Sequence, residues 1–77
     1  MSETYCKIKY RKAGGFYAGL EYTYQTRLPL MTGDKVIAPT AKEPRQRGIV
    51  TAVNVPEPGF ACRSITEYDP DAEIEQA

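Results

Sequence analysis

Tyr5-Cys6-Lys7-Ile8-Lys9-Tyr10-Arg11-Lys12 is the stretch that decides the fold class. Successive side chains of an extended chain point to opposite faces, so residues two apart share a face. Cys6, Ile8 and Tyr10 therefore point one way, and Lys7, Lys9 and Arg11 point the other. One face is apolar and the other is cationic, the pattern of a half-buried β-strand. Ala13-Gly14-Gly15 ends it, because paired glycines admit the positive φ of a hairpin connection.

The same reading continues outward. Leu20-Glu21-Tyr22-Thr23-Tyr24-Gln25-Thr26 is rich in aromatic and β-branched residues and predicts a second strand. Phe16 to Gly19 either extends it or forms a wide loop. Pro29 lacks an amide proton and cannot sit in a central ladder. Gly33-Asp34 marks a tight corner, and Lys35 to Thr40 predicts a short strand that Pro39 ends. The polar run Ala41 to Arg47, broken by Pro44, is a loop. Gly48-Ile49-Val50-Thr51-Ala52-Val53-Asn54-Val55 predicts the strongest strand, with Arg45 to Arg47 as its lead-in, and Pro56 to Gly59 stops it. Phe60-Ala61-Cys62 fits a single helical turn or an irregular link. Arg63 to Asp69 alternates again and predicts the last strand, which Pro70 ends.

Five short strands with Gly and Pro punctuation and no helix of normal length predict a mainly-β chain, a small five-stranded SH3-like barrel. Closure removes the exposed edges of so small a sheet. The 77 residues make one domain, expected over residues 1–69, with an acidic and partly disordered tail over 70–77. A chain this short buries only about 60% of its unfolded surface, so its core is thin. Hydrophobic residues make up 42% of it, and six tyrosines and two phenylalanines supply bulk in the absence of tryptophan.

Charge is balanced but unevenly placed. All ten Lys and Arg lie within residues 1–63, with five acids (Glu3, Glu21, Asp34, Glu43, Glu57). Residues 64–77 hold the other five (Glu67, Asp69, Asp71, Glu73, Glu75) and no base. A basic body with an acidic end implies an anionic partner, a mask for the body, or a solubilising terminus.

Chemistry that needs specific side chains is poorly supplied. Histidine is absent, which removes the usual general base and most zinc sites. Ser2 and Ser64 lie in no nucleophile motif. The carboxylates Asp69, Asp71, Glu73 and Glu75 lack the central glycine and distal Glu of a calcium loop. Ala13-Gly14-Gly15-Phe16 lacks the Lys and Ser/Thr of a phosphate loop. No enzyme, cofactor or metal is expected. Cys6 and Cys62 are read as reduced, small core residues, with a bridge between the first and last strands as the alternative. No basic-then-apolar leader and no apolar run near the ~18 residues of a membrane span is present. A cytoplasmic protein is expected.

The stretch from Tyr22-Thr23-Tyr24 through Leu28-Pro29 and Gly33-Asp34-Lys35-Val36-Ile37-Ala38-Pro39 to Gly48-Ile49-Val50-Thr51-Ala52-Val53 resembles two groups. One is a set of small phage and prophage proteins. The other is the N-terminal DNA-end-binding domain of the replication-restart helicase, primosomal protein N-prime. The shared pattern covers about residues 20–55. Many SH3-type barrels write this corner similarly, so the motif speaks for fold more than function. The resemblance implies a phage or mobile-element protein in the host cytoplasm, and a helicase-type grip on a DNA 3′ end by analogy alone.

Nucleic acid is the favoured partner. Lys7, Lys9 and Arg11 share a strand face, with Lys12 beyond. Lys42, Arg45 and Arg47 lie in and after the polar loop, with Arg27 as a neighbour. Exposed Tyr22 and Tyr24 would stack on bases while the basic groups follow phosphates. Replacing Arg45 and Arg47 together by Ala is expected to weaken such binding and leave the fold intact. The plainer reading is that the lysines are the wet side of a strand, or guards on a sheet edge, and that one or both tyrosines are core. Two other functions stay open: a counter-defence or host-modulating protein that binds a host protein or nucleotide, and a structural, oligomer-forming phage component.

Overall fold

The computed structural model describes residues 3–70 of the chain. Those residues form a mainly-β fold with five strands and no helix: β1 (Thr4–Tyr10), β2 (Tyr22–Thr26), β3 (Lys35–Ile37), β4 (Arg47–Ala52) and β5 (Ser64–Ile65). They make one sheet in the order β3-β4-β1-β2-β5, curled into a half-barrel. The fold class expected from the alternation is the one found. The acidic tail beyond Pro70 lies outside the described residues.

β1 is the spine. It pairs antiparallel with β2, placing Cys6 opposite Tyr24 and Ile8 opposite Tyr22, and antiparallel with β4, placing Ile8 opposite Val50 and Tyr10 opposite Gly48. Residues directly opposite share a face, so these pairs all point inward. The register with β4 shifts between Lys7 and Ile8. An irregularity of this kind bends and twists a strand, which helps so short a sheet to curl. Gly48 has a packing reason to lack a side chain. A Cβ there would stand 3.1 Å from the Lys9 carbonyl oxygen and 3.3 Å from Cδ1 of Ile8.

The core is the inward face: Cys6, Ile8, Tyr24, Val36, Ala38, Val50 and Ile65, with Tyr10, Leu28, Leu30 and Val53 packed around it. Polar atoms within it are satisfied, as burial demands. The Tyr24 hydroxyl donates to the Pro39 carbonyl at 2.8 Å and lies 2.7 Å from the Tyr10 hydroxyl. Thr26 Oγ1 donates to the Ile65 carbonyl at 2.9 Å and accepts the Leu28 amide proton at 3.0 Å.

The predicted corner at Gly33-Asp34 is present. Gly33 has a φ of 98°, and the Asp34 carboxylate accepts the Met31 amide proton at 2.8 Å. Val50 then locks the corner to β4, its carbonyl taking the Gly33 amide proton at 2.8 Å and its own amide donating to the Asp34 carbonyl at 2.9 Å. Between β1 and β2 the chain forms a wide loop, not an extended strand. Phe60 to Cys62 is irregular, not a helical turn.

The final segment links the two sides of the half-barrel. Ser64 and Ile65 pair in parallel with Gln25 and Thr26 of β2. Two residues later the chain pairs with β3 instead: the Ile37 amide donates to the Glu67 carbonyl at 3.2 Å and the Asp69 amide to the Lys35 carbonyl at 3.0 Å, around a Val36–Tyr68 bridge. The single long strand expected over 63–69 is therefore split, because its halves serve opposite edges.

Both cysteines are free. Only Cys6 is a core residue; Cys62 is half-buried beside the β2 edge, outside the core cluster. Burial, aided by the charge of a nearby Cys62 thiolate, pushes the Cys6 thiol up to about 11 from 9.0.

Three outcomes follow from this packing. Ile8→Ala removes a fully buried side chain from the centre of the core and should cost about 2–5 kcal/mol, read as a lower urea midpoint. Alkylation at pH 8 should modify Cys62 in the folded protein and spare Cys6 until denaturant is added. Between pH 9.0 and about 11 the folded Cys6 stays protonated while the unfolded one ionises, so stability should fall as pH rises through that window.

Candidate nucleic-acid interface

Lys7 and Lys9 project from the outer face of β1. Lys7 lies opposite Thr23 of β2 and Ala52 of β4. Lys9 lies opposite Ile49 of β4, and Ile49 lies opposite Lys35 of β3. Strands are spaced about 4.8 Å apart, so Lys9 and Lys35 stand roughly 10 Å apart across one row. None of the three lysines makes an ion pair within the described residues. The expected reading of Lys7 and Lys9 as edge guards does not apply, because β1 has a strand on each side.

Lys35 is a member of this group that the sequence alone did not reveal. It sits beside the Gly33-Asp34 corner and reads as the entry to a core strand. Only the register β3–β4–β1 places it in line with Lys9, and that register is a long-range property.

Arg11 and Arg47 continue the outer face at one end. The Arg11 amide donates to the Arg47 carbonyl at 2.9 Å, and Arg11 bridges Tyr17. Arg47 lies opposite Ile37, which is buried although it is not part of the core cluster. Nε of Arg47 stands 3.6 Å from Oδ2 of Asp69, whose side chain is wholly buried. Arg45 pairs with Glu67, both exposed. Two of the acids counted at the acidic end thus lie against the two loop arginines, and part of that end belongs to the barrel.

Lys42 is exposed in a turn closed by Thr40 and Glu43. There the Glu43 amide donates to Thr40 Oγ1 at 2.9 Å and the Thr40 amide to the Glu43 carbonyl at 2.8 Å. Arg27 is not its neighbour. It follows Thr26, which pairs with Thr4 at one end of β1, whereas the arginine loop leads to Gly48, which pairs with Tyr10 at the other.

The two tyrosines fall on the inner face, opposite the lysines. Tyr24 is 3% exposed and anchored by its hydroxyl, so it offers no ring to a base; the expectation of an exposed Tyr24 is corrected. Its position opposite Cys6 on the core side of β2 is the reason. Burial first, then the hydrogen bond with Tyr10, raises its hydroxyl pKa far above the ordinary tyrosine value. Tyr22 is 41% exposed and stacks on Tyr10, ring centroids 4.7 Å apart and planes 25° from parallel. Among the described residues no group of three or more acids and cysteines is placed to hold a metal ion, and no helix is long and apolar enough to cross a membrane.

The arginines separate by burial. Arg47→Ala would leave the carboxylate of Asp69 buried without its cation and should lower stability by about 2 kcal/mol. Arg45→Ala should change it by less than about 0.5 kcal/mol, because its ion pair is exposed. Urea unfolding of the two single variants checks this.

The chain matches no family model, no curated protein and no solved structure.

Proposed function

We propose that this protein is a non-enzymatic binding module for nucleic acid, which it holds by the phosphate backbone across the outer face of β3, β4 and β1. The supporting observation is the group Lys7, Lys9 and Lys35 on one face, without acidic partners among the described residues. Like charges on one sheet face within about a Debye length repel, and a polyanion laid across them relieves that cost. Arg11 lies at one end of the patch, and Arg47 lies beside it with part of its charge engaged by Asp69. The intervening side chains are small or uncharged (Ile49, Ala52, Thr23), which lets a backbone approach.

The resemblance over residues 20–55 adds a setting: a phage or mobile-element protein acting in the host cytoplasm on DNA or RNA. It also adds an arm to the test, a duplex with a 3′ single-stranded tail.

Each phosphate contact contributes about 0.7–0.9 to the slope of log K against log salt. Binding of labelled single-stranded, duplex and 3′-tailed DNA should weaken steeply with salt. The triple variant Lys7→Ala/Lys9→Ala/Lys35→Ala should lower that slope by roughly 2 units with its urea midpoint retained. An unchanged slope in the folded triple variant sinks the assignment of this face. Absence of binding at low salt sinks the function and directs the search to a protein partner.

A further inference from the structure

A second surface feature borders the lysine face. At the end of β2 near Tyr22 a hollow of about 300 Å³ is lined by Tyr10, Glu21, Tyr22, Thr23, Tyr24, Phe60 and Arg63. That volume is at the lower end of small-ligand sites. Its floor is held before any ligand arrives: Tyr22 stacks on Tyr10, Tyr10 meets the Tyr24 hydroxyl, and Tyr24 is tied to the Pro39 carbonyl. Phe60 also lines it and is 67% exposed, so its ring is available to a ligand.

The position of the hollow relative to the sheet gives it meaning. Tyr22 and Tyr24 belong to the inner face, whereas Thr23 belongs to the outer face and lies directly opposite Lys7. The hollow therefore wraps the edge of β2. That edge is open there, because pairing with β5 begins only at Gln25. A flexible chain crossing the edge meets Lys7 and Lys9 on one side and the aromatic rings on the other. Arg63 supplies a cation beside the rings, close enough to act on the Tyr24 hydroxyl.

We infer that this hollow receives one unpaired base of a single-stranded nucleic acid, stacked between Tyr22 and Phe60, while the adjoining phosphates lie on Arg63 and Lys7. This rests on the nucleic-acid reading and adds to it a preference: single strand over duplex, because a paired base cannot leave its stack without a cost. A planar ring, a flanking anion and a sharp turn over a sheet edge are needed together, and an unpaired nucleotide supplies all three.

The probes are a fluorescein-labelled ten-nucleotide thymidine strand, an abasic strand of the same length, and a duplex, titrated by anisotropy against the full chain. Stacking of one base is worth about tenfold in affinity. The base-bearing strand should bind about tenfold more tightly than the abasic one. Phe60→Ala and Tyr22→Leu should remove that preference while keeping the salt slope and the urea midpoint. Equal affinity for the base-bearing and abasic strands, with a normal salt slope, overturns this inference and leaves backbone binding standing. A preference that survives in both folded variants also overturns it. If no strand binds even at low salt, the nucleic-acid reading itself falls, and the hollow falls with it.

Discussion

Six residues at the end of the described chain bear on both edges of the sheet. From Ser64 to Asp69 the chain first adds to β2 and then to β3. Unpaired edges are sites of aggregation and fraying, and a sheet of five short strands has little other means of hiding them. The segment also carries Ile65, which is fully buried, and Asp69, whose carboxylate lies against Arg47. Hydrogen bonding to two edges, one core side chain and one buried charge thus depend on a single stretch. Its detachment would expose the core on one side and leave Arg47 without Asp69. Folding must wait for it, since its contacts join residues some 30–40 positions apart and loop closure precedes any gain.

The second constraint is the division of labour along β1. Because the strand is central, its inner side chains are enclosed by neighbours on both flanks, and its outer side chains form the middle of the solvent face. Ile8 and Lys9, adjacent in sequence, therefore stand at the centre of the core and at the centre of the cationic patch. The register shift beside Lys7 and Ile8 leaves Thr51 of β4 as the extra residue, which bends β4 against β1 there. The curl that packs the core thus also sets the curvature on which the lysines are displayed.

Much of this was legible in the sequence, and the rest was hidden for identifiable reasons. Period-two alternation reported strand, inner face and outer face correctly from Tyr5 to Tyr10, because alternation is a local property of the extended backbone, and overran the strand at Arg11 and Lys12. Gly33-Asp34 reported a corner because positive φ and a short acceptor are local demands. Pairing partners were not legible. Nothing near Lys35 says that it will line up with Lys9, and nothing near Asp69 says that a carboxylate close to the terminus will be buried against Arg47. Tyr24 was misplaced for a related reason: Tyr22 and Tyr24 share one face, but only the second lies deep enough along β2 to be covered. The charge count could not show ion pairs between the halves, such as Arg45–Glu67 and Arg47–Asp69.

The ion pairs divide the basic residues into two kinds. Arg45 and Arg47 are already engaged with acids, one exposed and one buried, so their charge is partly spent on the fold and contributes less to a distant anion. Lys7, Lys9 and Lys35 have no such partner among the described residues. A chain with no net charge can still present a local positive field on this account, since potential at a surface depends on nearby uncompensated charges within about a Debye length, 8–10 Å in ordinary salt. The lysine row spans roughly that distance. On the proposed function, its field would reach a phosphate laid across the sheet, and the edge of β2 ahead of its pairing with β5 would let the same strand turn inward to the rings. Lys7, at the β2 end of the lysine group, and the aromatic hollow are thus joined by the single residue step from Thr23, which lies opposite Lys7, to Tyr22.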